Sequence, residues 1–169
     1  MSSDRRESRH LKQNKSNDMI LPIYLYGAEV LRNENKEADL NDKEGILKLI
    51  EDMKDTLKVA DGCGLAAPQV GVNTRIVIVD GRELTETYDY LHDFFRVMIN
   101  PVVLEESEDT CEYSEGCLSV PGVYAEVRRP SRSRWSTTMR TLRKWSRTLT
   151  ASDAVWCSMS WRIWKATFL

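Results

Sequence analysis

Apolar residues at Ile46, Leu49, Ile50, Met53, Leu57 and Ala60 fall three or four positions apart, the firmest local constraint in the 169-residue chain. That spacing draws one apolar stripe along a helix, and the stripe must be buried against another element. It predicts a helix from Asn41 to Ala60, with Asn41 or Asp42 as N-cap and Glu44 in the first turn. The helix runs into Gly62-Cys63-Gly64, and Arg75-Ile76-Val77-Ile78-Val79-Asp80 follows as a β-branched strand. Val97 to Leu104 reads as a strand broken at Pro101, which cannot donate to a ladder. Tyr124 to Arg129 alternates like another strand, Glu83 to Asp93 reads as a surface insertion, and Glu105 to Asp109 as an acidic turn.

The length fits one domain with a real core. No apolar run is long enough to span a bilayer, so no membrane is expected as a partner. No apolar segment follows the charged N-terminus, so no secretory leader is expected either. Four scattered cysteines, Cys63, Cys111, Cys117 and Cys157, make a poor disulfide framework and point to the reducing cytoplasm. Residues 1–18 are polar and basic, a composition that cannot bury enough surface to order itself. They read as a disordered arm or a mis-assigned upstream extension, with Met19 as a credible start.

Two stretches carry chemistry. Gly62-Cys63-Gly64-Leu65-Ala66-Ala67-Pro68-Gln69 lets backbone pass close to something and then presents an amide side chain. Glu115-Gly116-Cys117-Leu118-Ser119 puts a cysteine in a tight turn. A lone cysteine after glycine is most often a small buried hydrophobe. Taken together, however, the two stretches closely resemble the first two signature motifs of the peptide deformylases. Their separation, Ile20-Leu21-Pro22-Ile23, the early helix and Ile99-Asn100-Pro101 look like the same family, so the resemblance covers residues 19–132.

The resemblance implies an α+β fold with antiparallel strands around a central helix. It implies a metal-dependent hydrolase that removes the formyl group from N-terminal formyl-methionine of nascent polypeptides in the cytoplasm. Its partners would be formyl-methionyl peptides and the ribosome. In that family a cysteine thiolate and the two histidines of a His-Glu-x-x-His helix hold one divalent ion, usually Fe2+, with Zn2+ or another divalent metal as alternatives. The intervening glutamate is the general base. Carried over, Cys117 is the thiolate ligand, and the Leu118 backbone N–H and the Gln69 amide are the oxyanion donors. Such donors are commonly worth about 3–4 kcal/mol each. Gly64, with Leu65 beside it, gives the substrate backbone close approach, and Glu115 and Ser119 take supporting roles.

The third motif is missing. The two histidines are His10 and His92, and neither has a Glu-x-x-His context. As written, Cys117 lacks its partner ligands and the base, and the polypeptide is expected to be inactive. The chain also changes character near Pro130. Acidic side chains outnumber basic ones two to one over 19–129, whereas over 130–169 Asp153 is the one acid against eight basic side chains. All five tryptophans, Trp135, Trp145, Trp156, Trp161 and Trp164, fall in this tail, and they and Thr137, Thr138 and Thr141 follow no helical or strand period.

A change of reading frame explains all three shifts together. Tryptophan is always TGG and methionine always ATG, so part of the coding sequence is fixed. Reading the last base of each codon with the first two of the next, Arg134 to Met139 can encode Val-Glu-Tyr-Tyr-Asp. In the same frame, Trp156 to Ala166 can encode Val-Gln-His-Glu-Leu-Ala-His-Leu-Glu-Gly, which looks like the missing motif. The chain therefore divides into an extension (1–18), a deformylase-like body (19–130) and an out-of-frame tail (131–169) expected to be irregular or poorly packed. Three other readings compete. One is a catalytically dead remnant. Another is a nucleic-acid or ribosome binder using the basic, tryptophan-rich tail, although direct nucleic-acid binding is not expected once the frame accounts for those residues. The last is a cysteine hydrolase built on Cys117, which has no histidine base beyond His92.

Overall fold

A computed structural model describes residues 19–82, 91–139, 141 and 143–149, with side chains described as far as 144. The expectations for residues 1–18, for 83–90 of the insertion, for Cys157 and for 150–169 lie outside these residues.

The apolar stripe forms α1, Lys43–Val59. Asp42 is its N-cap, and the carboxylate accepts the Gly45 N–H at 3.0 Å. Glu44 in the first turn and Lys58 in the last complement the helix dipole. Replacing Asp42 by Ala is expected to cost about 1 kcal/mol of unfolding free energy, read as a lowered urea midpoint. Ile46, Ile50, Met53 and Leu57 turn inward and meet Leu65, Ile76, Ile78 and Ile99 in the core.

The strands are β1 Gly64–Ala66, β2 Ile76–Asp80, β3 Phe95–Glu106, β4 Thr110–Cys117, β5 Val120–Pro130, β6 Ser133–Thr138 and β7 Lys144–Leu149. β1, β2, β3, β6 and β7 form one antiparallel sheet in that order, and β4 and β5 pair as a separate antiparallel hairpin. The fold is α+β. β2 is buried from Ile76 through Val79, which suits an all-apolar run flanked by β1 and β3.

Three expectations need correction. The strand predicted to break at Pro101 runs on through it to Glu106, with a register shift between Ile99 and Val102. Asn100 supplies the bend at φ 50°, a left-handed conformation that asparagine tolerates better than most residues. Its side chain clasps Ala38 at both polar groups, accepting the N–H at 2.7 Å and donating to the carbonyl at 3.0 Å. The insertion ending at Asp93 is not wholly superficial, because Leu91 is buried beside Gly81. The tail is not irregular where it is described: β6 and β7 extend the sheet beyond β3. Ser133, Trp135 and Thr137 alternate inward, with Arg134 outward against Glu105. Polar inward residues hid that period. Their hydroxyls are satisfied locally: Ser133 Oγ accepts from the Trp135 ring N–H, and Thr137 Oγ1 donates to the Ile99 carbonyl at 3.0 Å.

The candidate active site

Gln69 reaches the site through a 3-10 turn, Ala67–Val70, which has Pro68 in its first turn. Gly71 closes the turn at φ 89° and donates its N–H to the Pro68 carbonyl at 3.1 Å. This left-handed position suits glycine. The Tyr24 ring also leaves no room for a side chain there, since a Cβ on Gly71 would lie 2.7 Å from it. Gln69 is fully buried, and its Oε1 accepts the Ala66 N–H at 2.9 Å. That bond turns the amide nitrogen toward the cysteine turn, where Nε2 donates to Ser119 Oγ at 3.1 Å and lies 3.9 Å from Cys117 Sγ.

The cysteine turn is the bend of the β4–β5 hairpin. Cys117 pairs with Val120, leaving Leu118 and Ser119 as the two turning residues. A bulge between Gly116 and Cys117 re-aims this end of the hairpin. Leu118 folds its side chain back on the core and against Gly62, where an added Cβ would come within 2.8 Å of Leu118 Cδ1. The glycine loop and the cysteine turn therefore touch through the Leu118 side chain, whose end would have to shift if Gly62 carried a Cβ.

Gln69, Cys117 and Leu118 thus come together with Ser119. Gly64 and Leu65 lie in β1, at the edge of the sheet. Glu115 has a clear partner: Arg129 grips its carboxylate with two nitrogens, Nε at 2.9 Å from Oε1 and Nη2 on Oε2. Both side chains are buried in the hairpin. Arg129 was missed in sequence because an arginine in an exposed alternating strand looks solvated. In the hairpin it pairs with Cys111, on the same face as Glu115, and the period-two alternation from Ala125 to Arg129 was the available signal. The N-terminal segment was also undervalued. Tyr24 donates its backbone N–H to the Gln69 carbonyl at 2.8 Å, and Tyr26 donates to the Ser119 carbonyl at 2.7 Å.

Burial, with smaller contributions from Asp61 and Asp80, pushes the Cys63 thiol up to about 11 from 9.0. Burial disfavours the thiolate, so Cys63 stays protonated at neutral pH. Its contribution to stability is full below pH 9 and is lost as pH rises through about 11. Alkylation of Cys63 by iodoacetamide is therefore expected to lag behind that of an ordinary thiol at pH 8 and to accelerate only toward pH 11, as peptide mapping would show.

A divalent ion does not fit the described residues. Among the described residues, no three of His, Cys, Asp and Glu gather as a ligand set. The neighbours of Cys117 are an amide and a hydroxyl, poor companions for a thiolate-bound transition metal. His92 lies in an exposed turn before β3.

The fold and site define a small α+β protein whose glycine loop and hairpin cysteine share one buried polar centre. The polypeptide deformylase family model matches residues 20–158, and the chain belongs to that family. Peptide deformylase of Salinibacter ruber is 48% identical over 120 residues, covering 69% of this chain and 61% of that relative. The chain thus spans less than two thirds of the length of the curated relatives it matches. In structure it is similar to a probable peptide deformylase from Synechococcus phage S-SSM7, with a TM-score of 0.76 and 30% identity over 86% of this chain and 94% of that one. It is also similar to a Met-Ala-Ser-bound class I type b peptide deformylase from Acinetobacter baumannii, with a TM-score of 0.78 and 25% identity over 87% of this chain and 94% of that one.

Proposed function

We propose that this chain carries the substrate-facing half of a peptide deformylase site, acting by descent on the formyl group of N-terminal formyl-methionine, and that the polypeptide as it stands is catalytically silent. The observation that supports this reading is the convergence of the Gln69 amide on the Cys117–Ser119 turn. Fixed by Ala66, the amide is held ready for charge developing on a carbonyl oxygen, with the Leu118 backbone N–H as its proposed companion. β1 forms an edge of the sheet, where an extended peptide can add main-chain hydrogen bonds beside Gly64 and Leu65. The peptide-bound relative supports that class of substrate. The complete site would use a divalent metal, iron or zinc, in the cytoplasm, with nascent chains and the ribosome as partners.

Silence follows from the donor set: no companion ligands gather at Cys117 among the described residues, and the sequence has no Glu flanked by histidines to act as base. The test is formate release from formyl-Met-Ala-Ser by the purified chain, with and without added ferrous iron. No release above the uncatalysed rate is expected, and clear turnover would overturn the silent half of the proposal. The substrate half is tested by amide NMR. Formyl-Met-Ala-Ser is expected to shift the Gly64, Leu65 and Leu118 resonances, and their indifference at millimolar peptide would remove the substrate assignment.

A further inference from the structure

We infer that the coding sequence lacks one base between codons 131 and 134, so that the chain beyond is translated in the frame beside the one its domain was built for. The inference rests on reading Cys117 as a ligand and explains why no second ligand gathers with it among the described residues.

The first observation is in the sheet. β6 lies between β3 and β7, with neighbours on both sides. Its companion β2 fills the interior with Ile76, Val77, Ile78 and Val79. β6 instead buries Ser133, Thr137 and Thr138, each about 95% covered, beside a single Trp135. Interior strand positions are normally apolar, and three buried hydroxyl residues in one short strand are a poor match to the layer they enter. The neighbouring frame can place Val-Glu-Tyr-Tyr-Asp over Arg134 to Met139.

The second observation is independent. The domain delivers a thiol, an amide and a hydroxyl to one point, and no other candidate ligand gathers there among the described residues. The neighbouring frame over Trp156 to Ala166 permits Val-Gln-His-Glu-Leu-Ala-His-Leu-Glu-Gly. A His-Glu-x-x-His run on a helix puts two imidazoles on one face, the standard way to hold a divalent transition metal. With Cys117 such a run would make a three-donor N,N,S set, and nitrogens of that kind are what the described residues around Cys117 do not supply. That frame starts at the third base of each present codon, so restoring one upstream base recovers it.

The inference makes definite demands on the nucleotides. Cys157 must be TGC, Ser158 AGC, Ser160 AGC or AGT, Arg162 CGC and Lys165 AAG. Sequencing the genomic DNA across codons 128–166 is expected to find all five. A TCN codon at Ser158 or Ser160, or any arginine codon but CGC at Arg162, would overturn it while leaving family membership and the Gln69–Cys117 site untouched. The protein-level arm needs no catalysis. Inserting one base between codons 131 and 134 to encode the second frame should raise bound zinc from near zero to about one equivalent per chain, and Cys117→Ala in the restored chain should abolish most of that gain. Restored protein that folds cooperatively yet holds no more zinc than the present chain would overturn the inference. If it does not fold, the codons decide alone.

Discussion

Glu115→Gln is expected to lower the unfolding free energy by about 3–5 kcal/mol. Arg129 is 4% exposed and Glu115 9%, so the guanidinium that remains would be buried without its countercharge. Arg129 Nη1 is already buried without a hydrogen-bond partner, so no reserve of local acceptors is ready to take over. The pair ties the end of β5 to the residue two before Cys117, and the damage should appear first as loosening of the cysteine turn. The companion double replacement, Glu115→Leu with Arg129→Met, should recover much of the loss, because removing both charges leaves no orphan. Urea midpoints of the three proteins decide the matter. A single-mutant loss under about 1 kcal/mol would show that water reaches the pair.

Ile50→Ala is the second large effect, expected at about 2–5 kcal/mol. Ile50 has no exposed surface and lies at the centre of the α1 stripe, against the layer formed by Leu65, Ile76 and Ile78. Val59, in the last turn of the same helix, is 65% exposed, and Val59→Ala should stay within about 0.5 kcal/mol. The contrast separates cavity formation from loss of helix propensity. Equal midpoint shifts for the two variants would remove α1 as the lid of the core.

Much of this was legible in the residues. The α1 stripe and its Asp42 cap could be read because helical period and cap chemistry are local. The Gln69 and Cys117 stretches could be read because their residue types are rare together. Other features were written in tertiary terms. Pro101 looks like a strand breaker until Asn100 takes a left-handed turn and clasps Ala38, 62 positions away. β6 has the inward alternation of a strand, but Ser133 and Thr137 sit where hydropathy expects aliphatics. Arg129 looks like one more surface charge until the hairpin, which pairs it with Cys111, puts it on the face of Glu115 within reach of that carboxylate. The misses at Asn100, in β6 and at Arg129 each concern a polar group whose meaning depends on a partner that the local sequence does not supply.

The strap formed by Tyr24 and Tyr26 bears on how such a site tolerates variation. Tyr26 is 80% exposed, and the hold on Ser119 is made by its main-chain N–H. Every residue but proline carries that group. A saturation library at position 26 should therefore be almost flat, with one deep minimum at proline. A position can thus brace the cysteine turn while leaving almost no trace in the identity of its side chain.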